Sequence, residues 1–357
     1  MAIDIYSTGR LIMALEGINP ASSFLRDRYF PTGAGDVFNT EKVLVEYRDG
    51  DRRLAPFVTP WANGFPATRT AVEMHEYTPP TVAPKRPMTI DDITKRGFGE
   101  ALFGDMSPQQ RAQVLAMQDL SDLDAMITRR EEAMAAETML NNGCKMVELA
   151  DQAEAGVAAE VRFYDEATNP AAIASVTTKW DEEGADILGD MGQMVLKLTQ
   201  AGLPAQDFVC APDVADAIVN NEGVQKLLDN RRYELGEVAP ELEAPGASVM
   251  CVLNIRGHAI NVISYDEVYA GADGALTNYI PSGCGVMTAP GAGRTLYGAV
   301  SQIEQADGAF HTYARNRVPK YVANADGDVR TLTLTARPLL VPNNRNPWVS
   351  ASGLLTA

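Results

Sequence analysis

The residues of this 357-residue chain that could carry chemistry are its three histidines, its four cysteines, a few adjacent acid pairs and one glycine-rich run. His75, His258 and His311 stand far apart, and none falls in the H-E-x-x-H spacing that sets two imidazoles and a base on one helix face. A metal centre built from them is not expected. Cys144, Cys210, Cys251 and Cys284 form no C-x-x-C pair and read as small core residues of a protein held in a reducing compartment. No serine lies in G-x-S-x-G and no cysteine is locally paired with a histidine, so a nucleophilic site would have to be assembled from distant residues. The run Pro290-Gly291-Ala292-Gly293-Arg294-Thr295 lacks the lysine and the glycine spacing of a phosphate loop and reads as a flexible loop. Gly283-Cys284-Gly285 is too short for a dinucleotide fingerprint. Asp91-Asp92, Glu131-Glu132 and Glu182-Glu183 read as solvated helix faces or as partners of helix N-termini. No catalytic residue, cofactor or metal is predicted.

Charge narrows the function further. The net charge is −17, whereas a protein that grips nucleic acid must neutralise phosphates with Lys and Arg. Tight DNA binding is therefore not expected, and the same charge keeps a concentrated protein soluble beside DNA without adhering to it. Against this background Arg52, Arg53, Arg69, Lys85 and Arg86 concentrate positive charge within the first ninety residues. They read as orienting an arm over an acidic neighbour, although each surface pair contributes only about 0–1 kcal/mol. The plainer alternative is solubilising charge on edge strands. No run of eighteen apolar residues predicts a membrane span, and the opening M-A-I-D-I-Y-S-T-G-R has no basic-then-apolar pattern of an export signal. With 46% hydrophobic residues the chain can build a core spread over two or three lobes.

The elements that must position these residues begin with an arm. Thr40 to Arg48 alternates, with Val43, Val45 and Tyr47 on one face and Lys42, Leu44, Glu46 and Arg48 on the other. Asp49-Gly50 predicts a two-residue turn, with the return through Arg52 to Ala55 toward Phe57-Val58. Pro56, Pro60, Pro66, Pro79, Pro80, Pro84 and Pro87 then forbid an interior strand or a helix. Phe24, Leu25, Tyr29, Phe30, Phe57, Trp61 and Phe65 would be costly to expose, at about 25 cal/mol per Å². The arm is therefore expected to bury itself on neighbouring subunits, through Phe24, Tyr29, Phe30, Arg52, Arg53, Phe57, Trp61, Arg69, Lys85 and Arg86.

Ser107-Pro108 with Gln110 marks a helix start, and Asn141-Asn142-Gly143 its stop. At 1.5 Å per residue that helix is about 50 Å long, with Met117, Leu120, Leu123, Ile127 and Met134 as its apolar stripe. A second helix is predicted from a cap at Thr177 or Thr178, through Trp180 and Ile187 to Leu198, ending at Gly202 and Pro204. An α/β lobe follows: a strand at Phe208 to Cys210, a helix from Asp213 to Val219, a turn of helix from Val224 to Leu228, and a hairpin turning at Arg256-Gly257. Gly271 to Gly293 reads as loops, and Arg330 to Arg337 as an alternating strand that returns to the long helix.

An extended arm, a long hairpin-like excursion, a spine helix, an α/β lobe and a returning strand occur in this order in the major capsid proteins of tailed bacteriophages, and the chain resembles that family. More narrowly it resembles the lambda-type major head proteins, through Phe24-Leu25-Arg26 with Tyr29-Phe30, Thr40-Glu41-Lys42-Val43, and Tyr77-Thr78-Pro79 with Pro84-Lys85. Further matching pieces are Leu228-Asp229 with Arg231-Arg232, Gly293-Arg294-Thr295 with Tyr297-Gly298, Pro319-Lys320 and Pro338-Leu339-Leu340. The resemblance implies an α+β fold of the Hong Kong 97 type. Its N-arm would span 1–39, its E-loop 40–90, its P-domain 91–205 and 310–357 with the spine helix at 107–141, and its A-domain 206–309. Loops near 271–293 would then lie toward the axis of each capsomer. The resemblance also implies a major capsid protein that assembles with itself through pentamers and hexamers into an icosahedral virion shell around DNA, in the host cytoplasm. A scaffold, a protease, a portal and a decoration protein are the partners of such relatives, with no membrane and no cofactor. Some relatives cross-link Lys to Asn, and no such pair can be matched here. Two other classes stay open on the residues alone: a soluble enzyme with a loop-built site near Gly283 to Thr295, and another virion component of tail or head-completion type.

Overall fold

The structure is a computed structural model that describes residues 8–16, 23–48, 72–95, 107–148, 157–163, 172–173, 176–228, 236–237, 241–271, 274–305, 307–325 and 327–356. Its centre is an eight-stranded sheet gathered from segments far apart in sequence. The order is Ala172–Ile173, Val349–Ala351, Gly285–Thr288, Asp207–Cys210, His258–Tyr265, Ala247–Ile255 and Gly236–Glu237, with Glu241–Ala244 also paired to Ala247–Ile255. His258–Tyr265 runs parallel to Asp207–Cys210, and Val349–Ala351 parallel to Ala172–Ile173. The remaining pairs are antiparallel.

The central strands are buried on both faces, so their residues sort by parity into two cores. Phe208, Cys210, Ile260, Val262 and Met287 enter one, which the amphipathic helix Ile187–Ala201 closes with Met191, Met194, Val195 and Leu198. Val209, Ala211, Ile263, Tyr265 and Val286 enter the other, beneath the short helix Phe24–Tyr29 and the C-terminal half of the spine helix. The hairpin between Ala247–Ile255 and His258–Tyr265 turns at Arg256 and Gly257, with φ of 53° and 83°, as a two-residue turn of this hand requires.

The spine helix, Pro108–Asn141, has 34 residues and the predicted ends. Ser107 accepts from the Gln110 N–H while the Gln110 side chain accepts from the Ser107 N–H, and Asn142 closes the helix at φ 52°. Its N-terminal half packs Leu120, Leu123 and Ile127 against Leu11, Leu332, Leu334 and Ala336. Met117 does not join this stripe and is 42% exposed, because the buried row runs through Ala112, Ala116 and Leu120. The second helix also differs from expectation. It begins at Ile187, where the Asp186 carboxylate accepts from the Gly189 N–H at 2.9 Å, so Thr177 and Thr178 cap nothing. Trp180 is buried ahead of it and donates its indole N–H to Asp190 at 3.0 Å.

Val43–Arg48 pairs with Val72–Tyr77, Val43 opposite Tyr77 and Arg48 opposite Val72. The expected Asp49-Gly50 turn and the return leg from Arg52 toward Val58 lie outside the described residues. Downstream, Lys85–Met88 is the edge strand of a three-stranded sheet with Val329–Thr335 and Val318–Asn324, a place where Pro87 needs no N–H to donate. The stretch read as loops from Gly271 to Gly293 instead contributes Gly285–Thr288 to the large sheet and begins the strand Gly293–Tyr297, which pairs with Pro338–Pro342. Glycine marks close packing here. A Cβ on Gly285 would stand 2.5 Å from the Phe208 ring, and one on Gly293 2.4 Å from the Phe30 ring.

Gly285→Ala and Gly293→Ala are each expected to destabilise the subunit by about 1–3 kcal/mol, since the ring must be displaced within a filled core. Gly35, with open space about its Cα, is the control. Urea midpoints of the three variants measure the difference.

Candidate functional site

Helix Phe24–Tyr29, the spine helix, the large sheet and the approach to Val318–Asn324 converge on two adjacent acids. Glu131 and Glu132 are 0% and 2% exposed, which corrects their reading as a solvated face. Successive helix positions point about 100° apart, so the two carboxylates serve different neighbours. Glu132 accepts the N–H groups of Leu25 at 2.7 Å and Arg26 at 2.9 Å, and the Tyr265 hydroxyl at 2.7 Å. It thereby satisfies the open first turn of helix Phe24–Tyr29, whose own N-cap, Ser23, makes no side-chain cap bond. Glu131 accepts from Arg317 Nη1 at 2.7 Å and Nη2 at 2.9 Å, from Arg26 Nη1 at 2.8 Å and from the Tyr297 hydroxyl at 3.1 Å. Arg317 Nε donates to Asp124 at 2.8 Å.

A second anchor lies at the other end of the same short helix. Buried Asp207 opens the central strand and accepts from Arg28 Nε at 2.7 Å, the Tyr29 hydroxyl at 3.0 Å and Asn261 Nδ2 at 2.9 Å. Arg28 also bonds to Glu243. The apolar side chains between the anchors go inward: the Phe24 ring lies 5.5 Å from Tyr265, and Phe30 lies 5.6 Å from Trp348.

Protonation follows from these partners. Burial pushes the Glu131 carboxyl up, but the Arg317 and Arg26 guanidiniums outweigh it and hold it below the ordinary carboxylate range. Burial prevails at Glu132, where the N–H groups of Arg26 and Leu25 and the Tyr265 hydroxyl offset it only in part, and its carboxyl is raised. Tyr265 is raised as well, by burial and by the Glu132 charge beside it.

The residues expected to meet neighbours are distributed differently from that reading. Phe24, Tyr29 and Phe30 are buried in the subunit's own core, a correction whose cause is the pair of anchors that fold this segment back onto the sheet. Arg86 turns to its own spine helix, donating to Asp119 at 2.9 Å and Asp122 at 2.7 Å. Lys85 is exposed on the edge strand. Arg52, Arg53, Phe57, Trp61 and Arg69 lie outside the described residues. Cys144, Cys210 and Cys251 are free and buried, and Cys284 is free and half-buried. His311 sits at the surface against Asp307 at 2.8 Å, and exposed His75 stacks on Tyr77. Among the described residues no group of three or more His, Cys, Asp or Glu could hold a metal ion, and no helix is long and apolar enough to cross a membrane. The buried acids are all met by donors, and what they do is fasten.

A long spine helix beneath a two-faced sheet, a projecting hairpin and an N-terminal segment strapped between them form the α+β architecture of the Hong Kong 97-type capsid subunit. Two solved structures share it from end to end. A prophage protein of Escherichia coli CFT073 assigned as its capsid protein superposes with a TM-score of 0.64 at 17% identity, covering 97% of this chain and 98% of that one. A phage-related protein from Bordetella bronchiseptica RB50 gives 0.53 at 8% identity, covering 97% of each. No curated protein sequence matches. A family profile does: residues 7–352 match that of phage major capsid protein E, and the chain belongs to this family. It is a structural subunit of the bacteriophage shell.

Removing one member of the buried ion group leaves the other charge uncompensated. Glu131→Gln and Arg317→Met are each expected to cost about 3–5 kcal/mol at pH 7. Glu132→Gln should cost about 1–3 kcal/mol, because one buried N–H loses its acceptor. The Glu131 contribution, set by a folded pKa below the unfolded one, is complete above about pH 4.3 and fades as pH falls through the folded value. Glu132 carries the opposite sign, so its ionisation opposes folding as pH rises through its raised pKa. Denaturation of the three variants from pH 3 to pH 8 should show the Glu131→Gln penalty shrinking toward the acid end.

Proposed function

We propose that this capsid subunit builds its shell through pentamers and hexamers, with the hairpin of Val43–Arg48 and Val72–Tyr77 as the element that reaches a neighbouring copy. The observation that carries this reading is the hairpin's two-sidedness. Its inner face buries Val43 and Val45 against Phe163, Leu296, Leu339 and Val341, while its outer face leaves Leu44 49% and Met74 60% exposed. An isolated two-stranded ribbon with apolar groups in water is marginal, and a neighbour's surface would complete it.

In this reading the E-loop is the excursion around residues 43–77. Residues 82–88 belong with the P-domain, since Lys85–Met88 pairs with Val329–Thr335 over the spine helix and Val82 bridges to Ala336. The A-domain comprises the large sheet with its covering helices, so helix Ile187–Ala201 joins it. The N-arm is residues 1–39, of which Phe24–Tyr29 is held within the subunit. Scaffold, portal and decoration proteins are the further partners, DNA is enclosed without sequence-specific contacts, and assembly takes place in the host cytoplasm. The subunit's work is mechanical and no catalytic step is assigned to it.

Leu44→Ser with Met74→Ser removes the exposed apolar pair from the outer face and leaves the buried inner face intact. The variant should keep its unfolding midpoint to within about 3 °C, since a change below 1 kcal/mol moves a domain of this size by no more than that. It should lose most closed particles in negative-stain images and elute as small species from size exclusion. Shells of parental size and yield from this variant would rule out the reaching role.

A further inference from the structure

One ribbon of the subunit carries a titrating group that neither the cores nor the buried ion group use. Val300–Ile303 pairs with Phe310–Tyr313, Val300 opposite Tyr313 and Ile303 opposite Phe310. Alternation gives this ribbon two unlike faces. Val300 and Gln302 are buried on one, where Gln302 donates to the Pro319 carbonyl at 3.4 Å. Ser301, Thr312, Ile303 and Phe310 are all exposed on the other, and Phe310, at the last pair before the loop, is 79% exposed. A two-stranded ribbon is marginal in water, so an end that carries so bare a ring will fray unless something holds it. The outgoing side of the loop is held by Gln305, whose Nε2 donates to the Ala323 carbonyl at 2.7 Å and whose Oε1 accepts the Ala323 N–H at 2.8 Å.

The returning side is held by two acids. Asp307 accepts the Ala309 N–H at 3.0 Å through one oxygen and meets His311 Nε2 at 2.8 Å through the other. Glu304 accepts the Tyr313 hydroxyl, while its main chain accepts the Gly308 N–H at 2.9 Å and donates to the Ala309 carbonyl at 3.1 Å. His311 and Tyr313, two residues apart on the face turned away from Phe310, stack with ring centroids 6.4 Å apart. The charged groups that act on His311 are Asp307 and Glu304, both from its own loop. Gln302, directly across the ribbon, and Thr8 of helix Thr8–Glu16, which bonds Tyr313, carry no charge.

We propose that Asp307 and His311 form a pH-set latch that locks the tip of this ribbon, and with it the pose of Phe310, in mildly acidic solution and loosens as pH rises. The bond to Asp307 raises His311 above its ordinary 6.5, so its share of the hold is complete below about pH 6.5 and is lost as pH rises through the folded value. Asp307 stays ionised across this range, because the Ala309 N–H and His311 keep it below the ordinary carboxylate values. The contribution is that of an exposed pair and small, but what it governs is one ribbon end and not the fold. Once the latch loosens, the pair of Ile303 and Phe310 frays and the apolar knob loses its fixed pose. The latch lies within one subunit, so it stands or falls apart from the assembly reading.

Hydrogen exchange of the full chain from about pH 5 to pH 8.5 tests the latch, read by mass spectrometry on peptides covering residues 300–313 and corrected for the intrinsic exchange rate at each pH. A peptide from the central strand His258–Tyr265 is the internal reference. Protection of the tip should fall about threefold as pH rises past the His311 titration, the size expected of an exposed ion pair, while the reference is unmoved. His311→Gln should remove the fall, and so should Asp307→Asn, which leaves an oxygen for the Ala309 N–H but no charge for the imidazole. Glu304→Gln should keep the fall and move its midpoint to lower pH, because a second acid no longer favours the charged ring. Protection that does not change with pH, or a fall that survives in His311→Gln, overturns the latch. An equal fall in the reference peptide overturns it too, since the effect would then belong to the whole subunit.

Discussion

Two carboxylates buried on consecutive residues of one helix are tolerable only if each is met by its own donors. The effective cost of burying one ion is still several kcal/mol after relaxation, and Glu131 and Glu132 stand within one turn of each other. Glu131 is offset by two guanidiniums, and Glu132 by two main-chain N–H groups and a tyrosine hydroxyl. The donors come from Leu25 and Arg26, Tyr265, Tyr297 and Arg317, which lie on the N-terminal segment, the large sheet, the strand that meets Pro338–Pro342, and the entry to the three-stranded sheet. These four segments therefore cannot be placed independently of one another. The knot closes only when segments separated by more than a hundred residues have arrived, so it binds together parts of the chain that no local signal joins.

The division of labour in the subunit follows from this constraint. A shell subunit must be stiff where it carries load and adaptable where it meets copies in different settings. Stiffness comes from the sheet filled on both faces, from the 34-residue helix beneath it, and from charge pairs whose directional bonds admit few alternatives. The hairpin, by contrast, meets the body through its inner face among the described residues. Exposed Leu44 and Met74 lie on the side turned away from that tie.

Much of this could be read in the sequence where the signal is local. The spine helix carries its own cap, its proline and its left-handed stop, so both ends were legible. The alternation in Val43 to Glu46 gave the correct inner face, and Arg256-Gly257 the correct turn. What could not be read was set by distant partners. Val72–Tyr77 pairs with Val43–Arg48 from beyond a proline-rich stretch, a partner that nothing local to either strand names. Gly285 and Gly293 looked like loop residues because nothing local says that Phe208 and Phe30 occupy the space a Cβ would need. Trp180 resembled the start of a helix, yet it is a buried group whose indole bonds to the helix that begins seven residues later.

The acid pair was the most consequential misreading, and the sequence did hold a clue to it. Glu131-Glu132 is followed by Ala133, Met134, Ala135 and Ala136, a stretch apolar on every side of the helix, so no solvated face was left for the glutamates to occupy. A charge pair entering a stretch of that kind is better read as waiting for cations from elsewhere in the chain. The aromatic arm was the mirror case. Phe24, Tyr29 and Phe30 looked like residues without a core, and the chain supplies that core itself once Arg26 and Arg28 fasten the segment between the spine helix and the sheet. Large aromatic groups do need a partner, and for Phe24, Tyr29 and Phe30 the surface of matching charge and shape belongs to the same subunit.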